Sequence, residues 1–369
     1  MQLPNLSHRP LIGAAALACA AVLIPAAAFA ATAAPASWKI VKTVRGNPST
    51  SFDNVTATGP HSAWVFQSFG TTSHKPVAWR LSGSRWSRGP FPGKAGERVT
   101  SAASTSPDDV WAVAYNGVAG NGARSQVLSW NGTSWAVTGS FPGLGGDVVP
   151  LSLHDAWFFD SGQPGGGVWQ YNGHGWSRTP KSNALADGSA LSPDSIWAIG
   201  ATHVAHWNGH TWSRTSVKGL LVGCPREPDL CGPHLSGIYA QSPKNVWATG
   251  TGERETIGGP VVVLHFNGHR WSRAALCDSC DDPVSVIPDG TGGLWIPIRG
   301  FEFRASVMLH YAGGHLALTA LPVVKGRVLH LAAAAAVPGT RRAITVGNTI
   351  PTTEPIGLHS NAVILVYGS

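Results

Sequence analysis

The segment SPDSIWAIGATHVAHWNGHTWSR, residues 192–214, carries in one copy the pattern that decides the fold. Ser192-Pro193 opens it as a tight turn, because proline presets φ for a turn's second position and cannot donate a hydrogen bond within a central strand. The runs around Trp197 and Trp207 are short, apolar and aromatic, as buried strands are. Asn208-Gly209 then joins the second run to Trp212-Ser213-Arg214, and Asn-Gly is the strongest short-range signal for a hairpin. The opening returns as SPDDVWAV (106–113) and SPKNVWAT (242–249), the ending as WNGTSW (130–135) and FNGHRWSR (266–273). Self-similarity at a period near 45 residues is the mark of stacked supersecondary units.

A first marker falls at Trp64, Trp111, Trp157, Trp197, Trp247 and Trp295, with Ile344 in a degenerate last copy, at spacings of 47, 46, 40, 50, 48 and 49 residues. A second marker is an apolar residue, usually Asn-Gly, then two residues and Trp. It reads Leu81…Trp86, Trp130…Trp135, Tyr171…Trp176, Trp207…Trp212 and Phe266…Trp271, and more weakly Tyr311…Leu316. Trp79 and Trp169 lie two residues before Leu81 and Tyr171 and share their strand face. Each copy reads as four strands; in the fifth these are Leu235–Gln241, Asn245–Gly250, Val261–Asn267 and Arg270–Ala275. Small residues in the first strands, Ala102-Ala103 and Ser189-Ala190 among them, suit a crowded central axis.

Four-stranded antiparallel units repeated at this length are propeller blades. The last copy stops at Tyr367-Gly368, where a fourth strand should follow. That strand is found near the other end, as Ser37-Trp38-Lys39-Ile40-Val41. Pairing over 37–44 would close the ring and remove its exposed sheet edges. The expectation is an all-β, seven-bladed β-propeller with blade 7 completed by an N-terminal strand.

The pattern resembles the secreted bacterial propellers loosely grouped with kelch, galactose-oxidase-like and Asp-box repeats, and the resemblance covers essentially the whole chain after its N-terminal segment. It implies a fold and leaves activity open, since propellers host binding, hydrolysis, lysis of polymers and oxidation alike. The kelch double glycine is not repeated. Where an Asp-box has its aspartate, this sequence has Trp130, Tyr171 or Trp207, so sialidase chemistry is not carried over. No Cys–Tyr pair with further Tyr and His ligands suggests a copper oxidase.

His8 and Arg9 precede an apolar run from Leu11 to Ala31, and Ala28-Phe29-Ala30 offers a cleavage site. Residues 1–30 are therefore expected to be a signal peptide and 31–369 the propeller. The run also approaches the length of an uncleaved anchor, and Ala16-Leu17-Ala18-Cys19 is a weak lipobox with alanine where leucine is usual. In an exported chain Cys224 with Cys231, and Cys277 with Cys280, read as disulfides rather than zinc ligands, with connectivity between the loops left open. Lys and Arg total 26 against 19 Asp and Glu, giving a net charge of +7. The excess is spread along the chain, which permits contact with anionic polymers. Nucleic acid does not fit the expected extracellular compartment, and nothing suggests more than a monomer.

Candidate sites have to be separated from the template. His206, His265 and His310 each precede a second marker and His174, His210 and His269 follow Asn-Gly, so they are distributed round the ring rather than gathered as ligands. His203 is not templated. Arg88, Arg178, Arg214 and Arg273, from the repeated Trp-Ser-Arg, form a stripe that would bind an anionic polymer or shield the blades' outer edges. The asymmetric signal is acidic. Glu227, Asp229, Glu253, Glu255, Asp278, Asp281, Asp282 and Glu302 fall in loops of blades 4 to 6 on one face, together with both cysteine pairs. Such a rim offers the oxygen ligands that Ca²⁺ takes, or paired acid and base for glycoside chemistry. No cofactor is implied beyond that ion, and no catalytic residue is assigned. The expected function is an exported binding propeller recognising an extracellular glycan, cell-wall polymer or protein through this face. The alternative is a polysaccharide hydrolase or lyase.

Overall fold

Blade 4 shows why the template folds as it does. Its strands are Asp187–Ser192, Ser195–Ile199, His203–Trp207 and Trp212–Ser216, each antiparallel to the next. Ile196, Trp197, Ala198 and Ile199 are all buried, because blades on either side cover both faces of the second strand. That explains an unbroken apolar run where a half-exposed strand would alternate. The outer strand is exposed beyond Trp212. At the hairpin, Asn208 Oδ1 accepts the N–H groups of His210 at 3.1 Å and Thr211 at 2.9 Å. Gly209 takes φ +90°, where a side chain would be strained and its Cβ would stand 2.6 Å from Asp194. The same side-chain bonds recur at Asn131, Asn172 and Asn267.

The computed structural model describes residues 36–46, 48–116, 123–143, 145–160, 166–222, 232–252, 259–278, 280–300, 304–353 and 359–368. The expected signal peptide lies outside them. From Ala36 onward the chain is one compact unit. It forms seven four-stranded antiparallel sheets, blades 1 to 7 in the order of their markers, and a 3₁₀ turn at Lys218–Leu220 is the only helical element among the described residues. In the fifth blade the strands are Pro233–Ser242, Asn245–Gly252, Val261–Phe266 and Trp271–Cys277, within two residues of the sequence reading. The inner strand of blade 6 shrinks to Ile287–Pro288, since prolines at 283 and 288 withhold two ladder donors.

The closing strand is where the sequence places it. Trp38–Val44 pairs with Asn361–Tyr367, Trp38 opposite Tyr367, as the outermost strand of blade 7. Burial alternates along it, with Trp38 inside and Val41, beside a bulge, outside.

Blades are joined by an aromatic relay. Trp64 of blade 1 meets Trp130 and Trp135 of blade 2, with centroids 5.3 and 5.6 Å away. Trp111 meets Tyr171 and Trp176, Trp157 meets Trp207 and Trp212, and Trp197 meets Phe266 and Trp271. At the last such joint Trp295 meets Tyr367 and, from the closing strand, Trp38. Ile344 completes the circle against Leu81 and Trp86 of blade 1. Each marker is thus a plug for the next blade, and edge-to-face contacts of this kind add about 0.5–1.5 kcal/mol apiece beyond burial.

Candidate functional site

The templated histidines belong to the scaffold. His206, His265 and His310 lie against the marker Trp of their own blade, with centroids 4.4, 4.1 and 4.0 Å apart. Each also has a polar partner across the blade: Ser195 at 3.1 Å, Asn245 at 2.9 Å and Asp289 at 2.8 Å. Burial pulls the pKa of His206 and His265 below the usual histidine value.

The arginine stripe is likewise occupied. Arg88 lies over Trp79 at 5.4 Å, and Arg178 donates to the Gly166 carbonyl and Asn183 Oδ1. Arg214 donates to the carbonyls of Lys181 and Asn183 and contacts His203 Nε2 at 2.9 Å. Arg273 reaches the Leu220 carbonyl from both Nε and Nη2. These guanidiniums fasten outer strands to connecting loops.

Of the acidic rim, Asp278, Asp281 and Asp282 are described; Glu227, Asp229, Glu253, Glu255 and Glu302 lie outside the described residues, as do Cys224 and Cys231. Cys277 and Cys280 form a disulfide, and Cys280 is buried in the core between blades 5 and 6. This anchors the connection that leads to Asp281 and Asp282. Asp281 faces Arg304 at 3.8 Å, and the Asp282 carbonyl accepts the N–H of Arg299. Asp278 is exposed. No group of three or more His, Cys, Asp or Glu side chains converges as a metal site among the described residues.

The feature missed by the sequence reading lies in the central channel. The slot two residues inward of the marker's cross-strand partner holds Asn54, Ser101, Asp147, Asp187, Gly237, Ser285 and Ala333 in blades 1 to 7. In blades 1, 2, 5 and 7 the register shifts just before this residue, a bulge that re-aims its side chain. On blades 1 to 5 the slot stitches neighbours together. Asn54 Nδ2 donates to the Thr100 carbonyl at 2.7 Å. Ser101 Oγ donates to Asp147 Oδ1 at 2.6 Å and accepts the N–H of Val148 at 3.1 Å. Asp147 hydrogen-bonds Asp187, and Asp187 in turn takes backbone bonds from Gly188 and Ile238.

Two carboxyls in hydrogen-bonding contact cannot both ionise without repulsion. Burial raises the Asp147 carboxyl above its ordinary value. Burial first and the charge of Asp147 second raise Asp187 well above it. The pair therefore holds a shared proton to higher pH than an isolated carboxyl would. The channel still touches both carboxyls, which are half-buried although protein surrounds them.

Beyond blade 5 the stitching stops. Gly237 has no side chain to offer; a Cβ there would stand 3.1 Å from Thr249 Oγ1 of its own blade and 3.3 Å from the Val286 nitrogen of blade 6, so a larger residue would have to push these neighbours aside by a few tenths of an ångström. Ser285 Oγ is buried with no hydrogen-bond partner. Asp147, Asp187 and Ser285 form a waist shared by two cavities, of about 410 Å³ and about 310 Å³. The larger opens toward the variable-loop face and takes lining residues from all seven blades, Thr100, Ser236 and Arg299 among them. Asp53, the residue before lining Asn54, pairs with Arg98 at 3.2 Å, which raises the arginine's pKa further.

Comparison with known proteins supports the fold. No model of a known protein family matches the chain, and no curated protein is similar to it in sequence. Solved propellers are similar in shape. The structure of YCF48 bound to D1 peptide is 12% identical at a TM-score of 0.50, over 90% of this chain and 97% of that one. YCF48 from Cyanidioschyzon merolae is 14% identical at a TM-score of 0.52, over 90% and 98%. The Niastella koreensis GH74 enzyme is 12% identical at a TM-score of 0.55, over 85% of this chain and 53% of that one. The chain is a seven-bladed β-propeller, an architecture these proteins use for different ends.

Proposed function

We propose that this protein is an exported binding propeller that recognises an extracellular ligand, a glycan, cell-wall polymer or protein, at the channel mouth on its variable-loop face. One observation carries the reading. Around the channel waist the polar slot residues are satisfied by one another on one side, whereas on the other Ser285 Oγ is buried without a partner and Arg299 lines the opening. A buried polar group left unpaired by the protein is a place for a ligand's polar group. The Cys277–Cys280 disulfide supports the reading, because it holds the neighbouring loop beforehand and lowers the entropy lost on binding. The hydrolase alternative gains nothing from the channel pair. Glycosidase carboxyls stand about 5–9.5 Å apart, and Asp147 and Asp187 are in direct hydrogen-bonding contact. The YCF48 structure, a propeller similar to this chain in shape, has a peptide bound, which supports a protein segment as one such ligand.

The test is a screen of the purified protein against a glycan array and solubilised cell-wall fractions, followed by Arg299→Ala and the amide variants of Asp281 and Asp282. Arg299→Ala should weaken the captured ligand about tenfold or more, the scale of one charge-assisted contact, with the melting temperature unchanged. Unchanged affinity in all three variants would remove the site from this face.

A further inference from the structure

The strand that closes the ring also deletes a piece of the template on the opposite face. In blades 2 to 5 a hairpin leads from the third strand to the fourth beside the joint where a marker Trp meets its two aromatic partners. The hairpin glycine lies on the turn between that blade's first two strands: a Cβ on Gly132 or Gly268 would come within 2.8 Å of Asp108 or 2.9 Å of Lys244. In blade 7 there is no hairpin, because the third strand ends at Tyr367 and the fourth begins at Trp38. Among the described residues the joint around Trp295 is therefore left uncovered. A pocket of about 500 Å³ stands there, with Ala36 and Gly368 at its edge.

Its chemistry is distinct from that of the channel. The floor is aromatic, made of Trp295 and half-buried Tyr367, whose centroids lie 4.6 Å apart. The wall from blade 7 brings Arg341 and Arg342. Among the described residues neither guanidinium has a carboxylate within ion-pair distance. Arg342 Nε is buried without a partner, and its Nη1 reaches only the Pro60 carbonyl at 3.5 Å. Arg341 is exposed. The one acid in the pocket is fully used: Asp289 accepts from Thr291 N, Thr291 Oγ1, Gly293 N and His310 Nε2, all within 2.8 Å. Among the described residues no free carboxylate offsets this positive charge, which stands beside aromatic rings and the hydroxyls of Thr340 and Tyr367.

We infer that this pocket binds the acidic unit of a carboxylated saccharide, with the carboxylate on Arg341 and Arg342 and the sugar ring against Tyr367. Guanidinium forks match carboxylates in a planar, two-bond geometry. The volume falls within the range of about 300–1,000 Å³ usual for small-ligand sites. The face is not the one proposed above for the extracellular ligand, so the two readings stand or fall separately.

The experiment is calorimetric titration of the purified protein with a panel of uronate oligosaccharides, their methyl esters and inorganic phosphate. A uronate should bind, and esterification or the Arg341→Gln/Arg342→Gln pair should weaken it about thirtyfold or more. Raising salt from about 50 to about 500 mM should weaken it too, since exposed charges are screened. Should the double variant melt early, Arg341→Gln alone carries the test, because that side chain is exposed and makes no hydrogen bond or ion pair among the described residues. Equal affinity for acid and ester, equal affinity in the variants, tight binding of phosphate with none of uronate, or no binding by the panel would each overturn the inference.

Discussion

Trp38→Ala is the sharpest probe of how this ring is held shut. Trp38 is 4% exposed and lies 5.6 Å from Trp295 and 5.4 Å from Tyr367, centroid to centroid. A tryptophan buries about 150–250 Å², which at about 25 cal/mol per Å² sets an upper bound near 4–6 kcal/mol. Measured Trp→Ala costs in cores run about 3–5 kcal/mol. For a chain of this size about 1 kcal/mol moves the melting temperature by about 2 °C, so the variant should melt about 6–10 °C early. The matched control is Val41→Ala on the same strand, 51% exposed, which should cost less than about 0.5 kcal/mol. Thermal and urea melts of both variants, plus the Trp38→Ala/Tyr367→Ala cycle, make the assay. The cycle should show a coupling of about 0.5–1.5 kcal/mol. A Trp38→Ala shift under about 2 °C, or a melt in which blade 7 is lost in a separate step, would refute the view that the clasp belongs to one cooperative ring.

The channel pair predicts an unusual pH dependence. The folded carboxyls sit above their unfolded values, so this stabilisation is complete below about pH 4 and is lost as pH rises through the folded value. Asp187→Asn should flatten that fall, which is at most about 1.4 kcal/mol per pH unit per proton; identical pH profiles of urea-melt stability would contradict it. Replacing Cys277 and Cys280 together by serine opens a four-residue loop and should cost about 2 kcal/mol on the loop-entropy estimate, read from the shift of the urea midpoint with unchanged slope. Intact-mass analysis of exported protein should place its first residue near Ala31, with no thiol reacting before reduction; a retained segment 1–30 would mean an anchor instead.

Architecture was legible because its signals are local. Pro193, Asn208-Gly209 and the spaced tryptophans each act within a few residues, and Ser37–Val41 could be matched to the missing strand by inspection. The partner of each marker was not legible, because Trp64 packs against the following blade rather than its own. The channel slot was hidden for a different reason. Asn54, Ser101, Asp147 and Asp187 occupy one template position, but no single side-chain type recurs there from blade to blade, and the asymmetry that stands out in the sequence lies in loops of varying length. The signal was there, in two aspartates ten residues before Trp157 and Trp197. The acidic loops were visible in composition, yet charge clustering in sequence does not fix where side chains converge; Asp281 turns to Arg304.

The pairing of Trp38 with Tyr367 has a kinetic consequence. Residues near opposite ends of the sequence make the last joint, so nothing formed earlier can shut the circle. Until the final strand has been made, blade 1 and blade 6 each present an apolar flank with no neighbour, and a second chain can offer the missing strand as well as the first. Dilution during refolding, more than any property of a single blade, should then decide between a closed ring and strand-exchanged pairs.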